Sequence, residues 1–176
     1  MPTAIKNSKI DITSEKSTRE LAEKLTSYFK GGEYIFLYGE MGVGKTTFVK
    51  YFINKFQTDE QLKLTEVTSP TFNLLNEYET NNFVIKHYDL FRIKNISEVK
   101  DLDIFENNEK IITLVEWPQL LKNSNKAKKQ GLGLGLFISK NLLAKSQGEI
   151  KFSHRENGGG LVKIVLSKNY LNLSNE

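Results

Sequence analysis

Apolar side chains follow two periodicities along the chain, which together outline alternating helices and strands. Helical spacing predicts one helix over about 18–30, where 17–20 has the spacing of a capping box, and another over about 45–56. Uninterrupted apolar runs occupy 34–38 and 111–115. Such short runs are typical of strands that are covered on both faces of a sheet.

Weaker patterns extend this alternation along the rest of the chain. The segments 72–78 and 83–88 are candidate strands on either side of an asparagine turn, and 96–105 is a candidate short helix. Two more candidate strands, 149–154 and 161–166, are joined by a loop that contains a run of glycines. Helices that alternate with strands predict an α/β fold in layers around a mostly parallel sheet.

A polar segment divides the chain. Residues 122–130 contain one apolar side chain, Ala127, which predicts a linker between a unit over 1–121 and a shorter unit over 131–176. In the shorter unit we expect a helix up to about residue 145, followed by a β-hairpin.

Composition narrows the classes of protein that fit. The 176 residues are 39% hydrophobic and 26% charged, which excludes a mostly disordered or fibrous chain. Cysteine is absent, so disulfides, thiolate zinc sites and cysteine nucleophiles are excluded. A formal net charge of +4 does not by itself indicate nucleic-acid binding. Because no segment has the pattern of a membrane span or a signal peptide, we expect a cytoplasmic protein with no membrane partner.

The glycine-rich segment that follows the strand at 34–38 carries the most specific chemistry. Residues 39–46, GEMGVGKT, match the phosphate-binding motif G-x-x-x-x-G-K-[ST] at every fixed position. Its glycines allow backbone N–H groups to cradle phosphate oxygens, and the helix that follows directs its N-terminal dipole at the same anion. Lys45 is expected to reach the β- and γ-phosphates, and the Thr46 hydroxyl to bind Mg²⁺. The predicted nucleotide contacts are Gly39, Met41, Gly42, Val43, Gly44, Lys45, Thr46 and Thr47.

Two carboxylates follow predicted strands and are candidates for completing a magnesium site. Asp89 comes after 83–88, and Glu116 comes after 111–115. Because open α/β sheets bind ligands at the carboxyl ends of their strands, either side chain could hold the metal or orient a water molecule. A solvated acid at the end of a strand is the alternative for each of them.

Three further features near these strands each have two interpretations. His87 is two positions before Asp89 and shares its strand face, so it is either a packed side chain or a contact to a phosphate or a hydrated metal. The segment 68–71, TSPT, is either a simple turn or a switch loop that senses the γ-phosphate. Trp117, the only tryptophan, either packs at the rim of the core or stacks on a nucleotide base.

Four segments, in this order, resemble the TsaE (YjeE) family of bacterial P-loop ATPases. They are GEMGVGKTTFVK at 39–50, TSPTFNLLNEY at 68–78, HYDLFRI at 87–93 and LVEWPQ at 114–119. The resemblance covers about 10–120, and the last three segments are far more specific than the phosphate loop alone. It implies the three-layer P-loop fold and a weak ATPase that uses ATP and Mg²⁺ and is stimulated by partner proteins.

The resemblance also implies a pathway, partners and residue roles. The family acts with TsaD and TsaB in making N6-threonylcarbamoyladenosine in tRNA, resetting that complex between turnovers, so tRNA would be met only through the complex. Asp89 and Glu116 correspond to the metal-binding and catalytic carboxylates, and Thr71 belongs to the switch loop. Trp117 corresponds to an aromatic residue near the nucleotide. Arg92 is the motif arginine, with either a structural role or a partner contact.

The C-terminal segment departs from that family, in which two further strands complete the sheet. Here 131–141, GLGLGLFISKN, resembles the second glycine box of histidine-kinase ATPase domains. The segments 147–150 and 158–160 resemble the strand and hairpin that follow that box. Because the other nucleotide-binding boxes of a kinase are missing, we favour a helix and hairpin that replace the lost strands and complete the core.

Two other functions fit the same residues less well. A small-molecule P-loop kinase would need a lid with paired arginines, whereas Arg19, Arg92 and Arg155 are the only arginines in the chain. A sensor or interaction module would bind nucleotide without hydrolysing it, and its kinase-like tail would dock a partner.

Overall fold

The computed structural model describes residues 8–105, 108–122, 147–154 and 160–166, which form one seven-stranded sheet with helices on both faces. In chain order the elements are β1 (Ser8–Asp11), α1 (Glu15–Thr26), β2 (Tyr34–Tyr38), α2 (Lys45–Asp59), β3 (Leu75–Glu79), β4 (Val84–Asp89), a 3-10 helix (Ile96–Leu102), β5 (Ile111–Glu116), α3 (Gln119–Lys122), β6 (Gln147–His154) and β7 (Gly160–Leu166). None of the helices in these ranges is long and apolar enough to cross a membrane.

The order of the strands confirms the predicted α/β fold with a mostly parallel sheet. The strands lie side by side as β1-β7-β6-β2-β5-β4-β3. The middle strands β6, β2, β5 and β4 are parallel, whereas β3, β7 and β1 are paired antiparallel. The carboxyl ends of β2, β4 and β5 therefore meet at one edge, where such sheets bind ligands.

Alternate residues of β2 reach opposite layers of the molecule. Ile35 and Leu37 pack in the cluster that includes α1 and α2. Tyr34 and Phe36 pack in the second cluster, with side chains from the 3-10 helix and α3. Both faces of the strand are covered, which explains why 34–38 is an uninterrupted apolar run.

The start of α1 differs from the prediction. The helix begins at Glu15 and not at about 18, because Ser14 is its N-cap and the Ser14 hydroxyl accepts a hydrogen bond of 3.0 Å from the backbone N–H of Ser17. The predicted capping box at 17–20 is therefore wrong, since those residues lie inside the helix.

The observed ends of other elements also differ from the predicted ones. Helix α2 continues to Asp59, beyond its predicted end at about 56, and the buried Gln57 side chain accepts a hydrogen bond of 3.0 Å from the backbone N–H of Thr65. Strand β3 begins at Leu75 and not at 72, because a turn is closed by a 2.6 Å bond from Leu74 N–H to the carbonyl of Pro70. The short helix predicted over 96–105 is a 3-10 helix, and β1 was not predicted at all.

The C-terminal strands extend the sheet beside β2. Strand β6 pairs parallel with β2, β7 pairs antiparallel with β6, and β1 pairs antiparallel with β7. The predicted hairpin is confirmed, with slightly longer strands. Apart from Lys122, the predicted linker and the helix before residue 145 lie outside the described residues.

A glycine pair after α1 offers a test of the packing at the opposite edge of the sheet. Both glycines have left-handed backbones, with φ of 107° at Gly31 and 84° at Gly32. A Cβ at Gly31 would lie 1.9 Å from the carbonyl oxygen of Glu109, whereas a Cβ at Gly32 would lie 3.5 Å from its nearest neighbour. Gly32→Ala is therefore the matched control for Gly31→Ala.

We expect Gly32→Ala to lower the free energy of unfolding by about 1–2 kcal/mol, the cost of a left-handed backbone at a residue with a Cβ. Gly31→Ala adds a steric clash of roughly 1–3 kcal/mol and should be the more damaging variant. Urea unfolding followed by circular dichroism measures both values. Equal losses would contradict the close approach of Glu109.

Candidate nucleotide-binding site

The glycine loop joins β2 to α2 at the carboxyl edge of the parallel strands. Gly42 and Gly44 have φ of 77° and 102°, and Gly44 is the N-cap of α2. A Cβ at either position would meet no atom within 4 Å, so the left-handed backbone, and not crowding, favours glycine here. Such turns bring successive backbone N–H groups to face one anion, and the helix dipole of α2 favours the same charge.

A cavity of about 300 Å³ lies in front of this loop, a volume at the lower end of the range for small-molecule sites. Its lining consists of Met41, Gly42, Gly44, Lys45, Thr46, Thr47, Ser69, Thr71, Asp89, Phe91, Glu116 and Trp117. The structure thus brings together all the predicted site residues except Gly39 and Val43. Val43 is buried in the core, and a Cβ at Gly39 would lie 2.9 Å from the carbonyl oxygen of Phe152 in β6. Both residues therefore pack against the body of the protein and do not line the cavity.

Lys45 is a buried cation in the cavity wall. Its side chain is 4% exposed, and its Nζ donates hydrogen bonds to the carbonyl oxygens of Gly39, at 2.9 Å, and Glu40, at 2.7 Å. Burial lowers the pKa of the Lys45 ammonium, and the carboxylates of Glu116 and Asp89 offset part of that shift. An anion in the cavity would further stabilise the charged form of this buried ammonium.

Glu116 connects three elements at the floor of the cavity. Its Oε1 accepts a hydrogen bond of 2.7 Å from the Thr46 hydroxyl at the start of α2. The same oxygen lies 3.0 Å from Nε2 of His87 on β4. The carboxylate is buried although it ends a strand, so it is not the solvated acid that was the alternative interpretation. His87 bonds to this carboxylate, a partner that the sequence did not predict.

Asp89 lies beside Glu116 because β4 and β5 are parallel neighbours with these two residues in register. Its Oδ2 accepts hydrogen bonds from the hydroxyls of Ser69, at 2.9 Å, and Thr71, at 2.6 Å. Its Oδ1 accepts a bond of 2.9 Å from the backbone N–H of Phe91. The TSPT segment is therefore tied to the carboxyl edge of the sheet through one carboxylate.

The oxygen atoms of the cavity suit a magnesium ion bound together with phosphates. Within the described ranges, no group of three or more His, Cys, Asp or Glu side chains is arranged to hold a metal ion by itself. Mg²⁺ does not need one, because it is usually held by one or two carboxylates, substrate phosphates and waters. Thr46, Asp89 and Glu116 supply a hydroxyl and two carboxylates from adjacent positions of the cavity wall.

Aromatic side chains form the rim. The Trp117 ring centroid lies 4.3 Å from Nζ of Lys45 and 4.9 Å from the ring centroid of Phe91. Phe72 is 83% exposed, and the Arg92 guanidinium lies 5.4 Å from its ring centroid. Ser69 and Phe91 line the cavity but were not among the predicted site residues. Their only signal in the sequence was their place inside the TSPT and HYDLFRI segments.

The sequence model of the family described as "Threonylcarbamoyl adenosine biosynthesis protein TsaE" matches residues 12–141. The chain belongs to the TsaE family. The match includes the glycine loop and all three of the other motif segments. It also includes 131–141, the segment that resembles a histidine-kinase glycine box.

Curated TsaE proteins from several bacteria are similar to the chain over part of its length. The relative from Rickettsia felis is 37% identical over 112 residues, which are 64% of this chain and 63% of that protein. The TsaE protein from Aquifex aeolicus is 40% identical over 108 residues, which are 61% of this chain and 74% of that protein. The chain thus spans less than two thirds of the Rickettsia felis relative.

A solved structure shares the TsaE fold found here. The crystal structure of YdiB from Bacillus subtilis superposes with a TM-score of 0.59 and covers 96% of this chain and 91% of its own. Its sequence identity is 21%, so this likeness concerns the fold alone.

Proposed function

We propose that the chain is an ATP-hydrolysing subunit of the machinery that forms N6-threonylcarbamoyladenosine in tRNA, and that this modification requires it. Membership of the TsaE family and the names of the curated relatives support the pathway. The observation that carries the chemistry is the convergence of Lys45, Thr46, Asp89 and Glu116 on one cavity in front of the glycine loop. Since tRNA modification takes place where tRNA is used, we place the protein in the cytoplasm.

The cavity wall supports binding of the triphosphate. The backbone N–H groups of the glycine loop and of the start of α2 would donate hydrogen bonds to phosphate oxygens, and Lys45 would pair with the β- and γ-phosphates. Trp117, at the rim, would pack against the nucleotide. The lowered pKa of Lys45 fits this role, because a bound anion would stabilise an ammonium that burial has deprived of hydration.

Thr46, Asp89 and Glu116 would hold Mg²⁺. When bound, the ion neutralises negative charge on the phosphate oxygens. Glu116 would hold the ion next to Thr46, since its carboxylate already accepts a hydrogen bond from the Thr46 hydroxyl. Asp89 would connect the site to the switch loop, because it accepts hydrogen bonds from both Ser69 and Thr71. A change at the γ-phosphate would then be transmitted to 68–71 by loss or gain of these bonds.

We further propose that the partners are TsaD and TsaB and that they stimulate a weak basal ATPase. Met41, which lines the cavity, and Phe72, which follows the cavity-lining Thr71 in the chain, are large exposed apolar side chains. Exposed apolar side chains beside a site are suited to a protein interface. A partner that covers them would exclude water from the phosphates and strengthen every charge interaction there.

The C-terminal segment, 131–176, would complete the ATPase and not form a second nucleotide site. In support, β6 lies directly beside β2, the strand that leads into the glycine loop, and Phe152 of β6 closely approaches Gly39. The unit over 1–121 would then depend on this segment for the packing of Phe152 against Gly39 at the start of the phosphate loop.

Reconstitution tests the proposal. The reaction mixture contains TsaC, TsaD, TsaB, tRNA, threonine, bicarbonate and ATP, with or without the chain. The measured quantity is the number of modified adenosines formed per molecule of TsaD. We expect multiple turnovers only with the chain, none with Lys45→Met, and normal turnover with Lys50→Met, which changes an exposed lysine of the same helix.

Multiple turnovers in the absence of the chain would contradict the proposal. ATP binding without hydrolysis in the full mixture would instead favour the sensor module. Transfer of the γ-phosphate to a small acceptor would favour the kinase.

A further inference from the structure

His87 is a buried polar side chain for which neither the phosphate loop nor the proposed metal ligands account. It is 0% exposed on β4, and in the register of β4 with β5 it lies beside Leu114. Its Nε2 contacts Oε1 of Glu116 at 3.0 Å. Its Nδ1 is also buried and finds no hydrogen-bond partner within the described part of the chain.

These contacts define which ring nitrogen carries the hydrogen. An ionised carboxylate only accepts hydrogen bonds, so Nε2 of His87 must be the donor to Glu116. A hydrogen on Nδ1 would leave a buried donor without a partner, which is costly. The contact geometry therefore places a hydrogen on Nε2, between the ring and Glu116.

The consequence for Glu116 is that one of its oxygens is fully engaged. Oε1 accepts from both Thr46 Oγ1 and His87 Nε2, which accounts for its two lone-pair directions. Two donors on one oxygen fix the carboxylate plane and leave Oε2 as the oxygen available to another ligand.

We propose that His87 is a positioning residue that orients the Glu116 carboxylate for Mg²⁺ through its Nε2–H. The inference rests on the proposed function, because it assigns Mg²⁺·ATP to the cavity. Hydrogen-bond partners behind a metal ligand typically contribute 10–100-fold to metal affinity. His87 acts through Glu116 and touches neither the nucleotide nor the metal.

A matched pair of variants isolates the donor. Glutamine and methionine are unbranched and of similar size, but only glutamine places an N–H donor at the same number of bonds from Cα as histidine Nε2. We expect His87→Met to raise the Mg²⁺ concentration for half-maximal hydrolysis by 10–100-fold. Its affinity for ATP without Mg²⁺ should stay within about threefold of the wild type, and His87→Gln should restore the Mg²⁺ dependence.

A second measurement uses the unaltered protein and does not depend on hydrolysis. Long-range ¹H–¹⁵N spectra report which nitrogen of each histidine carries the hydrogen, and the chain has only two histidines, His87 and the exposed His154. His154→Gln assigns the two signals. We expect the Nε2–H form at His87, with nitrogen shifts that respond to ATP plus Mg²⁺ more than to ATP alone.

An Nδ1–H form at His87, or His87→Met with the wild-type Mg²⁺ dependence, would overturn the inference. If His87→Met does not fold, the spectra of the wild-type protein decide. If the wild-type protein binds Mg²⁺·ATP without hydrolysing it, the proposed function fails, while the tautomer and the Mg²⁺ dependence of binding still test His87.

Discussion

Replacing Lys45 with methionine is expected to weaken ATP binding by about 100-fold. Hydrogen bonds to charged groups contribute about 1.5–3 kcal/mol each, and Lys45 would make two of them with the β- and γ-phosphates. The ammonium already bonds to the carbonyls of Gly39 and Glu40, so part of this gain is offset when it turns to the phosphates. A net loss of about 3 kcal/mol corresponds to roughly 100-fold in Kd.

Methionine keeps the apolar stem of the side chain, and burial already disfavours the charge of Lys45, so the variant should remain folded. Titration calorimetry with ATP measures the affinity, and thermal unfolding checks the fold. Lys50→Met is the control, since Lys50 is exposed on α2 and lies outside the cavity. Equal ATP affinity in Lys45→Met and the wild type would remove the phosphate-loop lysine from the site.

Glu116→Gln is expected to lower kcat by about 10²–10³, the range seen when one preorganised electrostatic contact is removed from an active site. The amide oxygen can still accept hydrogen bonds from Thr46 and His87, so the packing of the cavity floor is retained. The substitution removes the negative charge of the carboxylate, which we propose binds Mg²⁺. ATP affinity measured without Mg²⁺ should therefore change little.

Glu79→Gln removes the same charge from an exposed position at the end of β3 and is the control. Steady-state phosphate release at saturating ATP and Mg²⁺ gives kcat, and circular dichroism checks the fold. A Glu116→Gln variant with the wild-type kcat would show that this carboxylate takes no part in the chemistry.

The best-predicted elements are those whose sequence pattern is local. Strand β2 matches 34–38 because both of its faces are covered by apolar layers, which the run of apolar residues records. Helix α2 starts at Lys45, as predicted, because the glycine loop ends there. The start of α1 was misplaced because the capping-box spacing at 17–20 falls inside the helix, and in the structure the Ser14 hydroxyl accepts the backbone N–H of Ser17.

The elements and contacts that could not be predicted depend on distant pairings. Strand β1 has only four residues and is defined by its partner β7, where Ile10 faces Val162 across most of the length of the chain. The contact between His87 and Glu116 likewise requires that β4 and β5 are neighbours in a known register. Because open α/β sheets bind ligands at the carboxyl ends of their strands, the sequence predicted that Asp89 and Glu116 would lie near the glycine loop. It did not predict that Asp89 would accept hydrogen bonds from the hydroxyls of the TSPT segment.

The most direct test of the site is a crystal structure of the chain with Mg²⁺ and a non-hydrolysable ATP analogue. We expect the phosphates to lie against the backbone N–H groups of 42–47, the Lys45 ammonium to contact the β- and γ-phosphates, and Mg²⁺ to lie beside Thr46 and Glu116. Phosphates bound elsewhere on the chain, or a metal that contacts none of Thr46, Asp89 and Glu116, would contradict it.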